Sequence, residues 1–410
     1  MAHTGLSQID KIIENFHENV GLMWELGVAP NADKSFDHLF SATQVAEMLN
    51  RSRVTLSKLT DELQLNPVVT SGGRISGYHL DDINRIRDHL AIRPIRQIGD
   101  PTARIAIQNF KGGSGKSATT THFAQHLAIK GYRVLIVDVD PQASTTASCG
   151  FVPDRDFCLD DTMLPVFRGE ANPEDVIKST YFPGIHLIPS CLQAYEAEFA
   201  LVFAIADADA RGDTEQKLSL YFELDELLKR VEENYDVILM DSPPALSIMS
   251  LNILCAANGI FVPAPPMIYD YLSTGQYFMM INKMMSGIVE NKHFNFIKVL
   301  PTKVERGKRK QVDFVEVMKD TFGNDITKTA IFSSSNIPNA AQEFKSAYET
   351  TGKMKDRVVI EMLNNVFSEL ETEILKMWPS QQETKNEIPI HLNPMVCVAV
   401  TLPFQLLMQG

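Results

Sequence analysis

One eight-residue run constrains this chain more than any other feature: Phe110-Lys111-Gly112-Gly113-Ser114-Gly115-Lys116-Ser117, set after the apolar segment Ile105 to Gln108 and before a helical stretch reaching Lys130. Glycines in such a place let the backbone turn so that several N–H groups converge on one anion, and the amino end of the following helix adds partial positive charge. Strand, glycine turn and helix in that order predict a loop that cradles phosphate. The strict G-x-x-x-x-G-K-S spacing is not met, because Phe110 stands at the position of its first glycine. A second lysine, Lys111, opens the turn instead.

From Arg104 onward, apolar β-rich runs alternate with helical stretches: Ile105 to Gln108, Val134 to Val137, Ile185 to Ile188, Val237 to Met240, Ile260 to Val262 and Phe296 to Leu300. Strands separated by helices predict an α/β fold with a doubly wound, mostly parallel sheet and ligands bound beyond the carboxyl ends of its strands. At 410 residues the chain exceeds what one hydrophobic core usually supports, so a second folded unit is expected. A hydrophobic content of 44% supplies both units with a core.

Further residues suit a phosphate site. Lys116 is placed to neutralise β- and γ-phosphates, and the Ser117 hydroxyl to ligate Mg²⁺. The run Val134 to Asp138 leads into Asp138-Val139-Asp140-Pro141-Gln142, although an ordinary strand-end turn would also use Asp-Pro. Val237-Ile238-Leu239-Met240-Asp241 is another apolar strand ending in an acid. Phosphoryl transfer is promoted mainly by positioning and charge neutralisation, so one metal, two lysines and a water-orienting carboxylate suffice for slow hydrolysis.

Ahead of Arg104 the texture differs. Residues 6 to 26 predict an amphipathic helix, with Ile9, Ile12, Ile13, Phe16, Val20, Met23 and Trp24 near helical period, and that face needs a partner. Asn31 to Asp37 breaks the pattern, a unit runs from about Phe40 to Leu90, and Arg93 to Pro101 reads as a linker. Within the unit, Ser41 to Leu49 predicts a capped helix with Val45, Ala46 and Leu49 inward, followed by a turn at Asn50-Arg51-Ser52. Arg53 to Leu59 predicts a second helix in which Val54, Leu56 and Leu59 pack while Arg53, Thr55, Ser57 and Lys58 offer polar contacts. This is the layout of a helix-turn-helix, whose second helix enters the major groove. Val68 to Tyr78 predicts a hairpin turning at Gly72-Gly73, a wing with Arg74 at its tip for a phosphate or minor-groove contact. A small accessory domain with solvated charges is the alternative. The net charge of -13 opposes a chain coated by nucleic acid, yet Arg51, Arg53, Lys58, Arg74, Arg85, Arg87, Arg93 and Arg96 make this segment locally basic.

Taken together, the Lys111 to Ser117 turn, the Asp138-x-Asp140-Pro141-Gln142 strand end and Asp241 resemble the ParA/MinD family of deviant Walker A ATPases. The amino-terminal half resembles that of the larger plasmid-partition ATPases, the RepA proteins of RepABC replicons, and the likeness spans most of residues 1 to 375. It implies a dimerisation helix over 1–38, a winged helix-turn-helix DNA reader over 39–98, an ATPase domain over 99–378 and an irregular tail over 379–410. ATP and Mg²⁺ are implied on Lys111, Gly112, Gly113, Ser114, Gly115, Lys116, Ser117 and Ala118. By the same resemblance Asp140 orients the attacking water, Asp138 supports the metal shell, and Asp241 holds Mg²⁺ through water. Lys111 reaches across a nucleotide-sandwich homodimer; a solvated lysine is the alternative. Implied partners are an operator, nonspecific DNA and a ParB-like centromere-binding protein, in the cytoplasm and on the nucleoid, with repression of the chain's own operon and no membrane.

A second DNA contact is implied at the basic loop Thr302 to Lys310, chiefly Lys303 and Arg306, with Lys328 and Lys345 as weaker candidates; a merely solvated loop is the other reading. Five scattered cysteines without a C-x-x-C pair disfavour an iron-protein-like reductase. Pro389 to Gly410 is apolar but interrupted by Pro394 and Pro403, too short to span a bilayer and free of the basic residues of a membrane-surface helix. Two rival functions follow: a nucleotide-sensing repressor without cargo movement, and a MinD-like membrane-positioning ATPase.

Overall fold

The computed structural model describes residues 5–27, 34–289, 292–342, 345–350 and 357–386. The apolar segment from Pro389 lies outside the described residues. Helix α1 (Gly5–Gly27) covers the amphipathic stretch, and Ile9, Ile12 and Ile13 on it are exposed. The side chains of Val20, Met23 and Trp24 also lie outside the described residues.

Next come α2 (Ala42–Met48) and α3 (Arg53–Glu62), each started by a serine. Ser41 and Gln44 form a capping box on α2, and the Ser52 hydroxyl accepts from the Thr55 amide at 3.0 Å. Val45, Ala46, Leu49, Leu56 and Leu59 fill the interior between them. Val54, expected inside, is 68% exposed. Helical period puts Leu56, Leu59 and Thr60 on the inward stripe and leaves Val54 on the outer face with Ser57 and Lys58. Strands β1 (Val68–Val69) and β2 (Ile75–Gly77) pair antiparallel around the turn at Gly72-Gly73, and α4 (Leu80–His89) closes the unit.

This unit is docked on the rest of the chain. Its core residues are continuous with those of the sheet domain, the tilted rings of Phe36 and Phe182 lie 4.1 Å apart, and Lys34 pairs with Glu349 at 3.4 Å, both side chains buried. The stretch Arg93 to Pro101, expected as a linker, is pinned rather than loose. Arg96 donates to the Asp100 carbonyl and to Glu233, Asp100 accepts from Ser380, and the Trp378 indole donates to the Pro101 carbonyl. Proline and glycine set its turns, while tertiary hydrogen bonds remove its freedom.

Seven strands make the central sheet: β3 (Ala103–Ile107), β4 (Val134–Asp138), β5 (Lys178–Ser179), β6 (Ile185–Ile188), β7 (Val237–Asp241), β8 (Gly259–Ala264) and β9 (Phe296–Pro301). Their order is β5-β6-β4-β7-β3-β8-β9, parallel except for the short antiparallel edge strand β5, which is too brief to show periodicity in sequence. Strands β3, β4, β7 and β8 are buried throughout, as both-face coverage demands of near-continuous apolar runs. Helix α5 (Lys116–Lys130), helix Arg357–Met377 and the amino-terminal unit cover one face. Helices Ile248–Ala256 and Ile268–Ile288 cover the other. The expected tail opens with a further helix, Pro379–Asn386. Among the described residues, no helix is long and apolar enough to cross a membrane.

Candidate active site

Strand register gathers the motifs. β7 lies between β3 and β4, so Asp241 sits level with Asp138 on one side and with Ile107 on the other. Both acids and the loop that follows β3 therefore meet at the carboxyl end of the sheet, where such folds bind ligands.

The loop itself runs from Asn109 to the start of α5. Gly113 and Gly115 adopt φ of +73° and +97°, a region closed to most side chains, and a Cβ at Gly113 would meet nothing within 4 Å. Helix α5 starts on Gly115 with no side-chain cap and no acid in its first turn, so its leading amides are left for an anion. Lys116 is buried, and among the described residues its ammonium has one hydrogen bond, to the Lys111 carbonyl at 3.3 Å, and no ion pair. Burial pulls its pKa down, against the attraction of Asp241 and Asp140. A buried cation short of an anion, beside the unpartnered buried hydroxyls of Ser114 and Ser242, fits a polyphosphate with its metal.

The acids occupy different surroundings. Asp241 is fully buried; its Oδ2 accepts from Thr145 at 2.7 Å and its Oδ1 from Thr120 at 3.4 Å. Burial pushes its carboxyl up to about 6, opposed by Thr145, the Ser117 hydroxyl and Lys116. Asp138 is walled in further: Oδ2 accepts from the amide and hydroxyl of Thr146 at 2.8 and 2.7 Å, and Oδ1 from the Asp140 amide at 3.2 Å. Burial, with Asp241 beside it, raises its carboxyl well above the usual carboxylate range. Asp138 thereby holds the following loop and helix α6 (Ser144–Ser148) in place. Asp140 borders a cavity of about 500 Å³ shared with Ser190, whose buried hydroxyl has no partner among the described residues. Asp140 Oδ1 accepts from the Gln142 amide at 3.0 Å, and among the described residues Oδ2 accepts nothing, so that oxygen is available to a water.

A family profile for the AAA domain matches residues 102–296. A Rhizobium rhizogenes protein with the provisional name replication protein A is 30% identical over 370 residues, which span 85% of this chain and 89% of that one. The chain belongs to the ParA/MinD family of P-loop ATPases. Protein SopA of Escherichia coli K12 is 31% identical to this ATPase over 69% of this chain and 73% of its own. A solved structure described as a partition protein shares the fold, with a TM-score of 0.61 at 20% identity over 89% of this chain and 98% of that one. The family's cofactors are ATP and Mg²⁺, and the loop's residues fit them.

Several residues of the ATPase site carry no sequence signal of their own. Thr145, Thr146 and Thr120 brace the acids from two helices. Asn109 accepts from the Lys111 amide at 3.1 Å and donates to the Pro263 carbonyl at 2.9 Å, tying the loop to β8. A cavity of about 450 Å³ opens beside Gly115 and Ala118, walled by the apolar Ile331, Phe332 and Pro338, and has room for a nucleoside. Lys111 is half-buried, and its ammonium has no ion pair among the described residues.

The expected DNA contacts form two separate groups on the ATPase. Arg51, Arg53, Ser57, Lys58 and Arg74 are exposed on the amino-terminal unit, whereas the Thr55 hydroxyl is 2.9 Å from Ser52 in the α3 cap. Lys303 and Arg306 are exposed on the loop after β9, with Arg306 lying 4.4 Å over the Phe332 ring.

Proposed function

We propose that this chain is an ATP-dependent DNA-partition ATPase: it dimerises on MgATP, binds DNA in that state, is released after hydrolysis stimulated by a ParB-like partner, and represses its own operon. One observation carries the reading. A phosphate loop whose second lysine, Lys111, has no ion pair among the described residues and a basic two-helix unit with a hairpin sit in one chain, docked together. The description of the solved partition protein, whose fold this chain shares, supports it. We read the α2–α3 pair and the hairpin as a winged helix-turn-helix, in which exposed Arg53, Ser57 and Lys58 would enter a major groove and Arg74 would make the wing contact. Exposed Ile9, Ile12 and Ile13 on α1 would be covered by a second copy.

Bound MgATP supplies the transferable phosphoryl group and the divalent charge that offsets negative charge in the transition state. The protein supplies position. Lys116 and the amides opening α5 would hold the phosphates, Ser117 and Asp241 would hold the metal, and Asp138 steadies the loop that presents Asp140. Asp140 orients a water through its free oxygen, and Lys111 extends to the partner's nucleotide. A ligand held between two protomers shifts the equilibrium toward the dimer by its differential affinity.

An electrophoretic shift with random and operator DNA under ATP, ADP and no nucleotide tests the reading. Random DNA should be retained with ATP alone. Operator binding without ATP-dependent retention of random DNA would make the chain a nucleotide-sensing repressor instead. Liposome co-sedimentation requiring residues 389–410 would make it a membrane-positioning ATPase.

A further inference from the structure

Where β9 ends, a short piece of backbone has three attachments. The buried Thr302 hydroxyl donates to the Ser114 carbonyl of the phosphate loop at 2.7 Å, and the Thr302 amide donates to the Ala264 carbonyl at 3.1 Å. Lys303 follows in a left-handed conformation, φ 55°, which swings the chain outward. Val304 then bonds Ile331 and Ser333 through backbone groups at 3.1 and 2.9 Å, and Arg306 covers Phe332. Ile331, Phe332 and Ser333 wall the cavity beside Gly115. The cavity wall and the basic loop are therefore joined backbone to backbone, and one hydroxyl ties both to the phosphate loop.

Threonine suits such a tie. Its β-branch makes χ1 stiff, so displacement of the Ser114 carbonyl is passed to the Thr302 backbone rather than absorbed by side-chain rotation. An uncapped glycine turn is a segment that bound polyphosphate would hold in one arrangement.

We propose that Thr302 is a positioning residue that couples occupancy of the phosphate loop to presentation of the basic loop Lys303 to Lys310, so that the bound nucleotide sets this loop's affinity for nonspecific duplex DNA. The proposal rests on the DNA-binding reading given above. A tenfold difference between nucleotide states corresponds to about 1.4 kcal/mol, within what one buried hydrogen bond contributes.

Random duplex DNA is titrated into the full chain by fluorescence anisotropy, with ATP analogue or ADP saturating for each variant. Wild type should bind the duplex on the order of tenfold more tightly with the ATP analogue. Thr302→Val keeps the branching and loses the hydroxyl, and its ratio should fall to near one, while Thr302→Ser, which keeps the hydroxyl but not the stiff branch, should give a ratio between those of valine and wild type. Thr302→Ala serves as the deletion where valine prevents folding. A deletion variant that keeps the wild-type ratio overturns the coupling and leaves the functional reading standing. A wild type whose duplex affinity ignores nucleotide overturns the functional reading and the coupling with it.

Discussion

The Arg87 guanidinium donates to the Ile129 carbonyl at 2.8 Å, and this bond seats the amino-terminal unit on the carboxyl end of α5, whose amino end forms the phosphate loop. Exposed carbonyls at a helix carboxyl end favour a cation, and Gly131 closes the helix there at φ 107°. Burial pulls Arg87 down to about 10, which leaves the guanidinium charged at neutral pH, and it also donates to Asn84 at 2.8 Å.

Arg87→Met should therefore leave the Ile129 carbonyl and Asn84 without their donor and destabilise the chain by about 2–3 kcal/mol, the range for hydrogen bonds to a charged group. Urea denaturation followed by circular dichroism reads the shift. A loss below about 0.5 kcal/mol, the scatter of surface substitutions, would show that the seat lies elsewhere.

The two lysines of the phosphate loop should separate. Lys116→Gln removes the buried charge and should weaken binding of a fluorescent ATP analogue on the order of a hundredfold. Lys111→Ala should keep nucleotide binding and lose ATP-dependent dimerisation in light scattering. Undiminished binding by Lys116→Gln would move the nucleotide site away from this loop.

His122 is an acid-sensitive clasp. Its Nε2 accepts from the Ala347 amide at 3.2 Å, so its Nδ1 carries the proton and donates to the Ala118 carbonyl at 2.8 Å. Burial lowers its pKa below the ordinary 6.5. The unfolded chain thus binds the proton first: the stability from neutral His122 is fully present above pH 6.5 and falls as pH drops below it, at no more than about 1.4 kcal/mol per unit. Comparing denaturation at pH 7.5 and about 5.5, the loss should be smaller in His122→Gln than in wild type. Equal losses would place the acid sensitivity in other groups.

The two basic regions should differ in kind. Arg53→Ala should weaken operator binding while sparing ATP-dependent retention of random DNA, and Lys303→Ala should do the reverse. Loss of a phosphate contact at Lys303 should lower the slope of log affinity against log salt by about 1. A salt series on random and operator DNA checks both, and parallel losses in both variants would merge the two regions into one.

Much of the site was legible in sequence because it is local. Phosphate is held by backbone amides, and the φ values that aim them belong to Gly113 and Gly115 themselves, so spacing alone marks the loop. The same holds for Ser41 and Ser52 as caps and for the Gly72-Gly73 turn, each set by bonds only a few residues long. Apolar runs likewise named six of the seven strands, missing only the two-residue edge β5.

Other features depended on packing. Thr302 and Ser114 are 188 positions apart, and no periodicity connects them. The burial of Asp138 behind Thr146, the apolar cavity at Phe332 and the pinning of Arg93 to Pro101 likewise arise where distant segments meet. Val54 shows the limit within one helix: its apolarity suits either face, and only the position of the neighbouring core turned it outward. Residue order by itself determined the elements, their turns and the chemistry at the strand ends, since these follow from short-range sterics and hydrogen bonding. Tertiary structure alone decided which of them touch, because that choice depends on how the whole chain buries its apolar surface.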